Sequence, residues 1–160
     1  MIKKLFALLL ALTLTASLFS CDKEKVFGHA ELRISLDGDF SEFEAESFDA
    51  AYANEEAVVG ILRISYEAAY NSGIPDFLTT EQFAKLYMKQ TGRVSEIKTY
   101  RGTPYYEYTD LTGGVENSYI ASFYRSKYAY FAVFLATPAK NYSEISAKLL
   151  SYTETVIFVY

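Results

Sequence analysis

Lys127-Tyr128-Ala129-Tyr130-Phe131-Ala132-Val133-Phe134-Leu135-Ala136 is the run on which the fold turns. Side chains alternate across a strand. Tyr128, Tyr130, Ala132 and Phe134 therefore point one way, and Ala129, Phe131, Val133 and Leu135 the other. Both sets are apolar, so the strand must be covered on both faces rather than wetted on one. Ser118–Tyr124 precedes it across a short polar break and reads as its hairpin partner. A sheet with cover on both sides is the first constraint on the molecule.

Upstream, Val94–Arg101 and Pro104–Thr109 read as two further strands across an Arg101-Gly102-Thr103 turn, with a second turn at Asp110–Gly114. Thr79 and Gln82 stand at capping-box spacing and predict a helix start. Phe83, Leu86, Tyr87 and Gln90 give that helix one buried stripe, and Gly92 ends it as a C-cap. Ser47–Ala53 and Ala57–Tyr66 form a hairpin in this reading, although Phe40, Phe43, Phe48 and Tyr52 also sit at helical spacing. Leu32, Ile34 and Leu36 alternate with polar neighbours in a strand wet on one face. Downstream, Pro138 stops the strand, and Asn141 with Glu144 gives a second capping spacing. Tyr142, Ile145, Leu149, Tyr152 and Val156 make the stripe of a long last helix, followed by a β-prone tail at Ile157–Tyr160. The expected fold class is α+β: a central antiparallel sheet of about six strands flanked by helices.

The N-terminus reads differently. Lys3-Lys4 is a short positive segment, and Leu5–Phe19 an apolar run of about 15 residues, the length of a signal-peptide core and short of a membrane span. Leu18-Phe19-Ser20-Cys21 resembles the bacterial lipobox, and a polar run opens at Asp22-Lys23-Glu24-Lys25. The resemblance implies cleavage before Cys21 and acylation of its sulfur. In bacteria with an outer membrane, Asp22 would further resemble a signal for retention at the inner membrane. The competing possibilities are an ordinary signal peptidase cutting after Ser17, with Thr15 and Ser17 at the small positions, an apolar segment that stays as an uncleaved anchor, and a cysteine placed there by chance. The domain division is then residues 1–20 as signal peptide, 21–29 as lipidated cysteine and charged tether, and 30–160 as one domain. Lipidation would place the protein on the cell membrane, at its extracytoplasmic face.

Composition excludes several classes. The formal net charge is −5, and loss of Lys3 and Lys4 would make the remainder more acidic still. Phosphate backbones repel such a chain, so no nucleic acid partner is expected. Cys21 is the lone cysteine, which rules out an internal disulfide and a cysteine zinc site. His29 is the lone histidine, set in the tether, and no Gly-x-Ser-x-Gly occurs, so a serine triad is not expected. Asp37-Gly38-Asp39 lacks calcium-loop spacing and reads as a turn. Glu42, Glu44 and Glu46 read as a solvated face, and Gly113-Gly114 as a turn without phosphate-loop partners. No enzyme activity, cofactor or metal is expected.

Aromatics dominate instead, with 15 Tyr and 12 Phe but no Trp. Tyr105, Tyr106, Tyr108, Tyr119, Tyr124, Tyr128 and Tyr130 offer a binding surface for a protein or sugar, tyrosine being enriched at interfaces. The favoured reading is that they pack the sheet under its helices.

The order of elements, with Glu46–Asn54 leading into Val58–Tyr66, the Thr80–Gly92 helix, Pro104-Tyr105-Tyr106-Glu107-Tyr108, and Tyr130–Ala136 before a last helix, resembles the PsbP-like family over about residues 45–160. That family includes the extrinsic photosystem II protein and bacterial lipoproteins of DcrB-like type. The resemblance implies an antiparallel sheet covered by helices, and no catalytic motif defines it. The functional expectation is a membrane-anchored, non-enzymatic binding or accessory module for a cell-envelope partner. The alternative is a small-solute or ion-binding lipoprotein with a pocket between sheet and helix.

Overall fold

The structure, a computed structural model, describes residues 24–75 and 77–160. Among the described residues, ten strands and three α-helices follow one another: β1 (Lys25–His29), β2 (Leu32–Leu36), β3 (Ser41–Phe43), β4 (Ala50–Ala53), β5 (Val58–Ser65), α1 (Tyr66–Asn71), α2 (Thr80–Gln90), β6 (Lys98–Tyr100), β7 (Thr103–Thr112), β8 (Val115–Arg125), β9 (Ala129–Pro138), α3 (Tyr142–Glu154) and β10 (Ile157–Phe158). Seven of the strands form one antiparallel sheet in the order β3-β4-β5-β9-β8-β7-β6. The other three form a small antiparallel sheet, β1-β2-β10. The expected α+β class, with an antiparallel sheet between layers, is what the chain adopts, with more strands than the sequence suggested.

β9 lies at the middle of the large sheet, and its two apolar faces are the reason. Ala129, Phe131, Val133 and Leu135 face one core with Leu149 and Tyr152 of α3 and Leu32, Ile34 and Leu36 of β2. Tyr130, Ala132 and Phe134 face a second core with Ala69 of α1 and Phe83 and Ala84 of α2. So α3 and the small sheet cover one face, and α1 and α2 cover the other. Burying such side chains is worth about 1.5–3 kcal/mol each.

Several local expectations are corrected. Lys25–His29, read as tether, is a strand: Phe27 turns inward against Tyr52, with ring centroids 4.7 Å apart, and the whole segment pairs with β2. His29 is accordingly half-buried in that strand. The first strand of the Ser47–Ala53 hairpin begins only at Ala50, because Phe48 closes a turn onto Ala45 O and lays its ring over Gly60. Glu42 belongs to the exposed edge strand β3. Only Lys98–Tyr100 of Val94–Arg101 pairs, and β7 runs through the expected turn at Asp110 as far as Thr112. Helix α1 was unforeseen; Ser65 caps it by accepting from Ala68 N. Asn141 makes no side-chain cap bond, its own backbone already being helical at φ −97° and ψ −9°. The Asp37-Gly38-Asp39 turn forms as expected, closed by Phe40 N on Asp37 O at 3.2 Å.

Two hydroxyls close the small sheet's edges. Tyr52 Oη donates to Gly28 O at 2.8 Å and accepts from Gly28 N at 3.2 Å on the free side of β1. Thr155 Oγ1 accepts from Ser35 N at 2.9 Å and donates to Ser35 O at 3.1 Å where β10 stops short. Unpaired edge groups invite pairing with other chains, and here side chains satisfy them.

Candidate functional site: a tyrosine–arginine cluster

Tyr108 on β7 and Tyr119 on β8 are direct register partners. Cross-strand partners share a face, and these rings stack at 4.7 Å with only 3° between their planes. The Arg93 guanidinium lies 4.2 Å from the centroid of Tyr108, within cation–π range. Arg93 Nη2 also donates to Asp110 Oδ2 at 2.7 Å. Asp110 sits two residues after Tyr108 on the same face of β7, so one strand supplies both the ring and the counter-charge.

The end of α2 places Arg93. Gly92 takes φ +68°, its N–H bonds Lys89 O at 3.1 Å, and Arg93 N bonds Met88 O at 3.0 Å. That is a Schellman closure, which needs a residue in the left-handed region. The glycine that ends the helix thereby swings Arg93 back over the sheet.

Tyr106 and Tyr87 complete the group. Tyr106 lies 5.7 Å from Tyr108 and stacks on Phe123 at 5.6 Å; Thr91 is the partner of its hydroxyl. Tyr87 projects from α2 toward the same place, 5.6 Å from Phe123. Burial raises all four phenols above their ordinary value, with Tyr87 pushed up to about 12 and Tyr108 higher still. Burial works to lower the Arg93 guanidinium, but Asp110 and the surrounding tyrosines outweigh it and raise it. At neutral pH the cluster is thus a fixed cation bonded to the Asp110 side chain and four protonated hydroxyls. These groups can hold a planar or anionic group by stacking and hydrogen bonding. The four phenols and the guanidinium keep their protons near neutrality, so none of them acts as a base there. Arg93 at 28% and Asp110 at 38% exposure are its open edge.

The seven tyrosines singled out by sequence do not form one surface. Tyr106, Tyr108 and Tyr119 meet in this cluster. Tyr105 and Tyr124 face the α3 side and are buried; Tyr124 Oη donates to Thr153 O at 2.9 Å and ties α3 to the sheet. Tyr130 is buried under the α1–α2 loop, stacked on Phe83 at 4.4 Å and donating to Pro75 O at 2.8 Å. Tyr128 alone of the seven is substantially exposed, with its ring edge on Tyr160. An exposed seven-tyrosine face is therefore not what the chain builds, because strand alternation and helix cover bury most of the rings. Arg93, Asp110 and Tyr87 were missed by the sequence reading. The Gly92-Arg93 pair at a helix end signals only the first, and Tyr87 shows only as part of the α2 stripe. Cys21 lies outside the described residues.

Two other features have site-like chemistry. Glu31 is 9% exposed; its carboxylate accepts from Ser126 Oγ at 2.6 Å and Arg63 Nε at 3.1 Å. Burial would raise it, but these bonds and the Arg63 charge hold it below its ordinary value. Glu107 accepts from Tyr142 and Lys98 and is likewise lowered, against burial. Both join layers: Glu31 links the small sheet to the large one, and Glu107 links α3 to β6 and β7. Clefts of about 300 Å³ beside Glu42–Ala51 and about 350 Å³ beside Gly114–Glu116 and Pro138–Lys140 lie at the sheet margin, not between sheet and helix. Among the described residues, no group of three or more His, Cys, Asp or Glu is arranged to hold a metal ion. Among them also, no helix is long and apolar enough to cross a membrane.

No family model matches the chain, and no curated protein is significantly similar to it. Solved structures do share its architecture. A Bacteroides thetaiotaomicron VPI-5482 protein superposes with a TM-score of 0.56 at 9% identity, over 87% of this chain and 49% of its own. This chain thus spans about half of that neighbour's length. Cyanobacterial PsbP (CyanoP) from Synechocystis sp. PCC 6803 superposes with a TM-score of 0.55 at 8% identity, over 92% of this chain and 99% of its own. Likeness at such identity speaks for architecture alone, and on it the chain has the PsbP-like fold.

Proposed function

We propose that this chain is a lipid-anchored extracytoplasmic protein whose domain serves as a non-catalytic binding or accessory module for a partner in the cell envelope. The carrying observation is the place of Cys21. The chain's lone cysteine stands between a signal-length apolar run and a polar start, in a lipobox-like context. A folded strand begins four residues later, at Lys25. Each buried CH₂ contributes about 0.8 kcal/mol, so several acyl chains on one sulfur hold a protein essentially permanently. The PsbP-like fold is compatible with an accessory role but does not fix one.

The binding surface in this proposal is the Arg93–Asp110 edge of the tyrosine cluster. Its phenols stay protonated and its guanidinium charged, which suits recognition rather than proton transfer. The clefts beside Glu42–Ala51 and beside Gly114–Glu116 and Pro138–Lys140 lie at the sheet margin and are open, so neither supports the solute-pocket alternative.

The anchor is tested by intact-mass analysis of protein extracted from bacterial membranes, beside Cys21→Ala. Acyl mass on residue 21 and loss of membrane retention in the variant are expected. A residue 21 without acyl groups overturns the anchor. The binding edge is tested by a photo-crosslinker at Val94, next to Arg93 and fully exposed. A discrete envelope-protein adduct that Arg93→Ala abolishes is expected, and an adduct pattern indifferent to that substitution overturns the assignment.

A further inference from the structure

We propose that the outer face of the small sheet β1-β2-β10 is a lipid-facing surface that lies against the bilayer holding the anchor; this rests on the acylation of Cys21 proposed above. Register defines the face. Val26 is opposite Ser35, Gly28 opposite Arg33, and Arg33 also opposite Ile157, so these side chains share one side. Phe27, Leu32, Ile34 and Phe158 occupy the other side, against the core. Val159 extends the outer side from β10, its N–H bonded to Glu31 O at 2.8 Å.

This face is apolar where it is most exposed: Val26 is 67% exposed, Ile157 58%, Val159 52% and the adjoining Tyr160 70%. Its central charge is cationic. Arg33 Nη1 is held by Ala30 O at 2.6 Å and Leu32 O at 2.8 Å. None of the six positions 26, 28, 33, 35, 157 and 159 carries a carboxylate, in a chain with 20 Asp and Glu. Of the neighbouring carboxylates, Glu24 precedes the strand, and Glu31 is turned inward onto Ser126 and Arg63. Tyr160 accepts from Lys127 N at 3.0 Å and meets Tyr128 edge-on, with Lys127 Nζ 5.4 Å from the Tyr128 ring. Tyrosine beside lysine is the composition favoured at headgroup depth.

Chain length supplies the occupant. The four steps from Cys21 to Lys25 reach at most about 14 Å. Acyl chains on that sulfur bring the bilayer surface within that distance of the edge strand β1. The α1–α2 face lies beyond the large sheet, a further layer spacing of about 10 Å away. The surface that the anchor holds nearest to lipid is therefore the one with exposed aliphatics and a central arginine.

The test uses acylated full-length protein in vesicles of phosphatidylethanolamine with some phosphatidylglycerol and nitroxide-labelled lipid. Because acylation consumes the Cys21 thiol, single cysteines can be labelled with an environment-sensitive dye at Val26→Cys, Ile157→Cys, Val159→Cys and, as control, Val94→Cys. Lipid-borne quenching at the first three is expected to exceed that at position 94 by at least about twofold, as for side chains at the acyl boundary. Paired Val26→Glu and Val159→Glu substitutions should remove the excess at 157 while the protein stays vesicle-bound. Acylated protein with equal quenching at all four positions overturns the lipid face and leaves the anchor standing. Residue 21 bare by intact mass overturns both. Shielding that persists in detergent and grows with protein concentration assigns the face to a second copy instead and likewise overturns the proposal.

Discussion

At Gly60 the large sheet has no side chain, and the ring of Phe48 fills the space; a Cβ there would meet Phe48 Cε1 at 2.7 Å. Phe48 also lies 5.5 Å from Phe134, so it has little room to retreat. Gly60→Ala should cost about 1–3 kcal/mol in urea unfolding, as overpacking does, and much less in a Phe48→Ala background. Equal costs in the two backgrounds would show that the ring is not the obstacle. Three carboxylates, Glu31 buried and Asp37 and Glu107 half-buried, make a different kind of prediction. For Glu31, Asp37 and Glu107, burial pushes upward, but bonds to Ser126 and Arg63, to Lys148, and to Lys98 and Tyr142 leave each lower in the fold than its ordinary 4.5, 3.8 and 4.5. The unfolded chain then binds more protons as acid is added. The stability these groups contribute is fully present above their ordinary values and is lost as pH falls through the lower folded ones. The thermal midpoint should be flat from neutrality to about pH 5.5 and fall below about pH 4.5, and Glu31→Gln should make that fall shallower. An unchanged acid limb in Glu31→Gln would remove Glu31 from the account. None of these roles was legible beforehand. Tyrosines and glutamates can be counted in a sequence, but which are buried, and against what, depends on the partner strand.

Helix α2 shows what local chemistry can specify by itself. Thr79 Oγ1 accepts from Gln82 N at 3.2 Å and Gln82 Oε1 accepts from Thr79 N at 2.9 Å, the reciprocal box that the spacing predicted. Thr79→Ala should therefore cost about 1 kcal/mol by chemical denaturation. Asn141 stands at the same kind of spacing before α3 yet makes no cap bond, its turn being occupied by the short 3₁₀ segment Ala139–Asn141. Asn141→Ala should be nearly neutral by the same measurement, and a loss equal to that at Thr79 would contradict the geometry. The difference explains which elements could be foreseen. β8 and β9 run 11 and 10 residues and are buried almost throughout, so their length and their aromatic and β-branched content identify them. α1 is six residues long with only Ala69 buried, and too short to show a stripe. β1, β3 and β6 are three to five residues each and are defined by their neighbours. Lys25 at the head of β1 made a strand look like a tether, although Phe27 behind it is packed in the core. In the candidate site, Tyr106, Tyr108 and Tyr119 were visible as aromatic strand residues. Arg93 was not, because a Schellman turn rather than a periodic pattern brings it there.

Over the whole molecule, the small sheet is where the two ends of the described chain meet. β2 carries the N-terminal hairpin on one side and the C-terminal strand on the other, so residues more than 100 apart in sequence share one layer. Alternation in an antiparallel pair assigns each group of β2 to one neighbour. Gly28 turns its N–H and C=O outward to Tyr52, so Arg33, opposite it, turns its own toward β10 and Ile157. Ending the chain after Val156 would remove the partner of Arg33, the Val159 N–H bond to Glu31 O and the Tyr160 bond to Lys127 N. Thr155, which holds Ser35, would remain. Hydrogen exchange should then separate neighbouring amides: Arg33 should lose protection by about tenfold or more, while Ile34, bonded toward β1, and Ser35, held by Thr155, change little. Uniform loss along β2 would mean that the hairpin unfolds as a unit without the tail; no change at Arg33 would mean that β10 contributes no ladder bond. The expected outcome makes the C-terminal residues a lock on the layer that stands next to the proposed anchor. Removing them would expose the β2 edge at the place where lipid is proposed to sit, and would leave the large sheet, α2 and the tyrosine cluster intact.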